Sequence, residues 1–99
     1  MMARTLVWTA LAEQDLEDAI AYLEAQEVGL GMALLAEVTQ VVGRVLAMPH
    51  VYPEIEPGMR RALVRRFSYN LFYVLSDEDT IEVHALIHTA ANPDDWPTG

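Results

Sequence analysis

The apolar residues of this chain change their spacing once, and that change narrows the folds open to it. Ala12, Leu16, Ala19, Ile20 and Leu23 recur at intervals of three and four, which places them on one face of a helix. Leu34, Leu35, Val38, Val41, Val42, Val45 and Leu46 form a second and wider stripe of the same period. Beyond residue 60 the period falls to two, as on a strand. Thr9 can cap the first helix, with Glu13 and Asp15 near its positive end. Gly29 and Gly31 predict a turn, a second helix runs from about Met32 to Met48, and Pro49 ends it. Two helices joined this closely form an antiparallel hairpin.

Thr5-Leu6-Val7-Trp8, short and rich in β-branched and aromatic side chains, predicts a strand ahead of the helices. Residues 49–59 hold Pro49, Pro53, Pro57 and Gly58 and predict an extended connection. Three strands follow, Arg61 to Phe67, Asn70 to Leu75 and Thr80 to His88, with Ser68-Tyr69 and Asp77-Glu78-Asp79 as the tight links. In the last strand Ile81, Val83, Ala85 and Ile87 alternate with Glu82, His84, Leu86 and His88, which predicts two opposite faces, the first set toward the helices and the second, with His84 and His88, outward. The expected architecture is α+β in two layers, β-α-α-β-β-β, a helical hairpin packed on an antiparallel sheet. Residues 1–99 make one domain.

Charge restricts function more than composition does. Six Arg and no Lys stand against fifteen Asp and Glu, a net charge of −9 that opposes nonspecific binding to nucleic acid. Yet Arg60, Arg61, Arg65 and Arg66 fall within seven residues, so an acidic chain carries one basic stripe. Without cysteine there is no disulfide, thiolate metal site or cysteine nucleophile. No metal or other cofactor is expected. No run of about eighteen uncharged apolar residues predicts a membrane span, and the opening MMARTLVWTA lacks the long apolar core of a signal peptide. A cytoplasmic protein is the expectation. Hydrophobic residues make up 53% of so short a chain, so some apolar surface is expected to meet a partner.

Three phrases, in this order, carry a resemblance: VWTALAEQDLEDAIAYL, LAMPHVYPEIEPGMRRALVRRFSYNLFYVL and IEVHALIHTAANPDDW. The aromatic residue before the first helix, the G-x-R entry into a strand hairpin, and Val83, His88, Pro93 and Trp96 near the end keep the spacing of the RelE/ParE toxin superfamily. The chain resembles that superfamily over nearly its whole length, and its ParE-like branch, the plasmid-stabilisation toxins, most. The resemblance implies a toxin masked by a cognate antitoxin encoded beside it. RelE-like members cut messenger RNA on the ribosome, whereas ParE-like members lack the nuclease residues and poison DNA gyrase. Where relatives carry a closing arginine this chain has Ala91, and Thr89, Ala90, Asp94 and Asp95 replace positions that are often basic.

Each candidate residue has two readings. Cleavage of RNA without a metal needs a base, an acid and cations on the developing phosphorane charge, the last a role that suits arginine. Arg60, Arg61, Arg65 and Trp96 are the candidates for contact with antitoxin or target. The alternative for the arginines is ion pairing with the helix carboxylates. Strand alternation predicts Arg61 and Arg65 on the outward face and Arg66 with the helices. Arg65, Tyr69 and His88 are the candidate catalytic set, His88 because imidazole titrates near neutrality and a late His serves some nucleases that the chain resembles. Otherwise His88 only braces the closing turn. His84 and His88 are about 13 Å apart on an extended strand, too far to share a metal ion. Tyr73 offers a second hydroxyl, and Phe72 reads as core. Glu54 and Glu56, with no cation fixed beside them in sequence, read as solvated. Trp8 and Trp96 read as packing anchors.

Three functional readings follow: a gyrase-binding ParE-like toxin without a catalytic centre, a RelE-like ribonuclease, or an attenuated member that only binds partners. An acidic toxin repels an acidic antitoxin, so the antitoxin is expected to dock through apolar anchors and at the arginine stripe. A homodimer or a toxin–antitoxin hetero-oligomer is the expected assembly.

Overall fold

The protein, in a computed structural model, is described over residues 3–97. Its elements are β1 (Thr5–Trp8), α1 (Ala10–Gln26), α2 (Leu30–Ala47), β2 (Glu54–Glu56), β3 (Met59–Val64), β4 (Tyr69–Asp77) and β5 (Thr80–His88). A short 3-10 turn, Pro93–Asp95, follows. The strands form one sheet in the order β1-β5-β4-β3-β2, with both helices on one face. The α+β architecture with its helical hairpin is as expected; the sheet is mixed rather than antiparallel. β1 pairs in parallel with β5, Leu6 beside Ile81 and Trp8 beside Val83. A parallel pair needs a long crossover, and the helices, β2, β3 and β4 all lie between these two strands in sequence.

Thr9 caps α1 by accepting the Ala12 amide at 3.2 Å. The turn into α2 is shorter than predicted. Gly29 alone is left-handed, at φ 97°, while Gly31 lies inside the helix. Its missing side chain has a use there: a Cβ would lie 2.9 Å from both Cγ2 and the carbonyl oxygen of Ile20, so Gly31 lets the two helices close on each other. Glu24 supplies the cap from the neighbouring helix, accepting the amides of Gly29 and Gly31 at 3.0 and 2.9 Å. These are donors that a helix start otherwise leaves open.

The helix-side core takes Ala12 and Ala19 from α1 and Leu34, Val38, Val41 and Val45 from α2. Ala62, Val64, Leu71, Tyr73, Ile81, Val83 and Leu86 meet them from the sheet, and Trp8 packs at the margin. Each large aliphatic buried here contributes on the order of 1.5–3 kcal/mol. α2 is long and apolar enough, at a mean hydropathy of 1.5, to pass a length-and-composition test for a membrane span. It carries Glu37 and Arg44, however, and its stripe is spent on β3 and α1. The opposite face of the sheet is not bare. Met59, Phe72 and Ala85 form a second small cluster there, flanked by Ile55, Val74, Ile87 and Trp96.

Three strand expectations change. The predicted connection contains β2, which pairs with the start of β3 through Glu54–Arg60 and Glu56–Met59. β3 ends at Val64, so Arg65 and Arg66 belong to a turn closed by Ser68, whose φ of 57° is left-handed. The alternation in β5 is interrupted. Phe72 pairs with Ala85 but Tyr73 with Val83, so His84 is an extra residue in the ladder. Such a bulge reverses the faces of everything beyond it. Ile81 and Val83 face the helices as expected, but so do Leu86 and His88, while Ala85 and Ile87 face outward.

Candidate functional site

The six arginines are used in different ways. Arg60 is partly enclosed, its side chain 17% exposed, whereas Arg65 and Arg66 are exposed. Its guanidinium donates to the carbonyls of His50 and Tyr52 and forms a 3.0 Å ion pair with Glu54. Arg60 therefore pins the segment between α2 and β2, and Glu54, exposed as expected, is also ion-paired to it. Arg4 donates to the Leu46 carbonyl at the end of α2. Arg66, predicted on the helix side, stands in the exposed turn with its guanidinium 5.0 Å from the centre of the Phe67 ring.

Arg61 and Arg65 come together, though not through strand alternation. Both line an open depression of about 450 Å³ with Arg44, Tyr52, Pro53 and Leu63. Arg44 arrives from the last turn of α2, a position to which sequence spacing gave no clue. Among the described residues, no carboxylate ion-pairs with Arg44, Arg61 or Arg65. Arg61 is steadied from the outer face, 5.4 Å above the Trp96 ring, and Trp96 in turn lies 5.2 Å from Phe72. Trp96 thus reaches the arginine site as the support of Arg61 and as the cover of the outer cluster.

The other two catalytic candidates open elsewhere. Tyr69 and His88 face each other edge-on at 5.2 Å, in a depression of about 310 Å³ with Asp15, Asp18 and Tyr22. It shares no lining residue with the arginine depression. Burial raises the phenol of Tyr69, and the neighbouring Tyr22 raises it further. The Nδ1 atom of His88 accepts the Ala90 amide at 3.0 Å, which leaves only Nε2 for other work. Asp15 also serves the fold, accepting the Leu86 amide at 3.0 Å. Carboxylates beside Tyr69 and His88 repel a phosphate. Tyr73 is committed too: its buried hydroxyl donates to the Pro49 carbonyl at 2.6 Å. His84 lies 3.2 Å from Glu82. Among the described residues, no group of three or more His, Asp or Glu is placed to hold a metal ion.

Fold and surface define a small α+β domain, acidic overall, in which Arg44, Arg61 and Arg65 meet at one depression. A family model described as the ParE toxin of the type II toxin–antitoxin system, parDE, matches residues 6–93, and the chain belongs to that family. Two solved structures share its fold. A chain of the chromosomal ParDE toxin–antitoxin system from P. aeruginosa is 18% identical with a TM-score of 0.63, over 87% of this chain and 96% of that one. A chain of the RelBE2 toxin–antitoxin complex from Mycobacterium tuberculosis is 26% identical with a TM-score of 0.64, over 92% and 97%. No curated protein sequence matches.

Proposed function

We propose that this ParE-family toxin acts in the cytoplasm by binding its target, DNA gyrase, without a catalytic centre, and that a cognate antitoxin encoded beside it neutralises it. The observation that carries this reading is the separation of the candidate nuclease groups. Arg65 lines one depression, whereas Tyr69 and His88 line another whose walls include Asp15 and Asp18. Metal-independent RNA cleavage needs acid, base and cation around one phosphate. The gyrase target follows from the ParE-like resemblance, and the antitoxin from the toxin–antitoxin pairs to which both structural relatives belong.

The RelBE2 relative favours a second reading, a RelE-like endoribonuclease, with Tyr69 and His88 as its remaining acid–base pair. Induced expression of the chain alone, with and without the neighbouring reading frame, separates the readings. Growth arrest with a DNA-damage response, intact transcripts and inhibited supercoiling by purified gyrase is the expected result. Cleaved transcripts with normal supercoiling would replace the proposal with the ribonuclease. Unimpaired growth would leave an attenuated partner-binding module.

A further inference from the structure

The depression of Tyr69 and His88 collects polar groups that the fold leaves unsatisfied. Asp15, Asp18 and Tyr22 stand on one face of α1, three and four residues apart, and bring two carboxylates and a phenol to its wall. Each carboxylate gives one oxygen to the fold. Asp15 Oδ2 accepts the Leu86 amide at 3.0 Å, and Asp18 Oδ1 accepts Gln14 Nε2 at 2.8 Å. Among the described residues nothing bonds to the other oxygen of either, and no cation pairs with them. No arginine lines the depression. Tyr69 does line it and is only 9% exposed, yet its hydroxyl has no hydrogen-bond partner among the described residues. That oxygen is not sealed in either, since among the described residues the one enclosed side-chain polar atom without a partner is Trp96 Nε1. So deeply set a polar group is normally bonded. Tyr22, 63% exposed, adds an open aromatic ring beside them.

We propose that this depression binds an aliphatic ammonium group, with Asp15, Asp18 and Tyr69 as its three acceptors and Tyr22 alongside. An ammonium has three N–H donors and no acceptor, which matches the free oxygens of Asp15 and Asp18 and the Tyr69 hydroxyl in number and kind. A phenol ring also attracts a cation to its face. His88 braces the wall, its Nδ1 held by the Ala90 amide and its ring edge-on to Tyr69. A metal ion is the weaker fit: magnesium or calcium asks for about six or more oxygen ligands, and among the described residues no three acidic or imidazole groups are placed to hold one. The ammonium has two sources, a free polyamine or a lysine side chain of a partner polypeptide. Neither depends on which target the toxin binds.

The test titrates the full nitrogen-labelled chain with butylammonium, sodium chloride holding the ionic strength constant, and follows the amide resonances by NMR. Saturable shifts are expected at residues 15–22, 69 and 86–88, and not at the acidic turn of Asp77, Glu78 and Asp79. Tetramethylammonium, a charge without a donor, binds at least about tenfold more weakly to the parent chain. Tyr69→Phe keeps the ring, removes the acceptor and weakens butylammonium about tenfold. Asp18→Asn, at an exposed position, weakens it about threefold; thermal melts check that both variants fold. Spermidine and a short blocked peptide with one central lysine are run alongside, and the tighter of the two assigns the source. Equal shifts at the Asp77–Asp79 turn, equal binding of tetramethylammonium, or undiminished binding to Tyr69→Phe would each overturn the proposal.

Discussion

Tyr73→Phe separates two roles of one buried hydroxyl. Tyr73 lies fully buried in the middle of β4, donates to the Pro49 carbonyl at 2.6 Å and meets the Tyr52 ring edge-on at 6.3 Å. It thereby ties the exit of α2 to the sheet and sets Tyr52 at the wall of the arginine depression. Phenylalanine fills the same space, so the expected loss comes from a buried carbonyl left without its donor, about 1–3 kcal/mol. At roughly 4–8 °C per kcal/mol for a domain of this size, the melting temperature should fall by about 5–20 °C at neutral pH.

The second role appears in alkali. Burial pushes the Tyr73 phenol from 10.0 up to about 12; the Arg60 cation works against that shift and Tyr52 adds to it. A raised phenol means that the fold favours the neutral form. Its contribution is therefore complete below pH 10 and disappears as pH rises through about 12, a total on the order of 3 kcal/mol. The variant has no such proton to lose. Its stability should fall less steeply than that of the parent between pH 10 and 12, although Tyr69, raised in the same direction, still contributes slope. Denaturant unfolding at pH 7, 9, 10.5 and 11.5 measures both effects. Equal stability at pH 7 would refute a role for the Pro49 bond, and parallel curves up to pH 12 would refute the buried phenol.

Other substitutions test the placement of single groups. Arg60→Ala should destabilise by about 1–3 kcal/mol and expose residues 49–54 to limited proteolysis, since it frees the carbonyls of His50 and Tyr52. Arg65→Gln, in an exposed turn, should stay within about 0.5 kcal/mol of the parent by the same unfolding assay; a larger loss would mean that Arg65 is part of the fold. Gly31→Ala drives a methyl against Ile20 and should lower stability by about 1–3 kcal/mol in thermal melts. Trp96→Ala uncovers Met59, Phe72 and Ala85 and should increase binding of a hydrophobic dye while the helix signal in circular dichroism is kept.

Local chemistry explains why so much of the fold was readable. Period, Thr9 at the cap and Pro49 at the stop mark the helices because such signals act between near neighbours. Arg60 shows where the reading failed. Its partners are the carbonyls of His50 and Tyr52 and the carboxylate of Glu54, brought to it by the short β2–β3 hairpin. Nothing in the order of residues distinguishes that enclosed arginine from the exposed Arg65. Arg44, seventeen residues before Arg61, joins the depression only because α2 lies against β3.

The sequence by itself determined a helical hairpin, the strands around it, an acidic body and a stripe of arginines, because spacing and residue type act within a few positions. Tertiary structure alone decided that β1 runs parallel to β5, that the bulge at His84 turns His88 toward the helices, and that the cations and the Tyr69–His88 pair open into separate depressions. Strand partners and bulges are chosen by packing between segments far apart in the chain, and one extra residue in a ladder reverses every face beyond it.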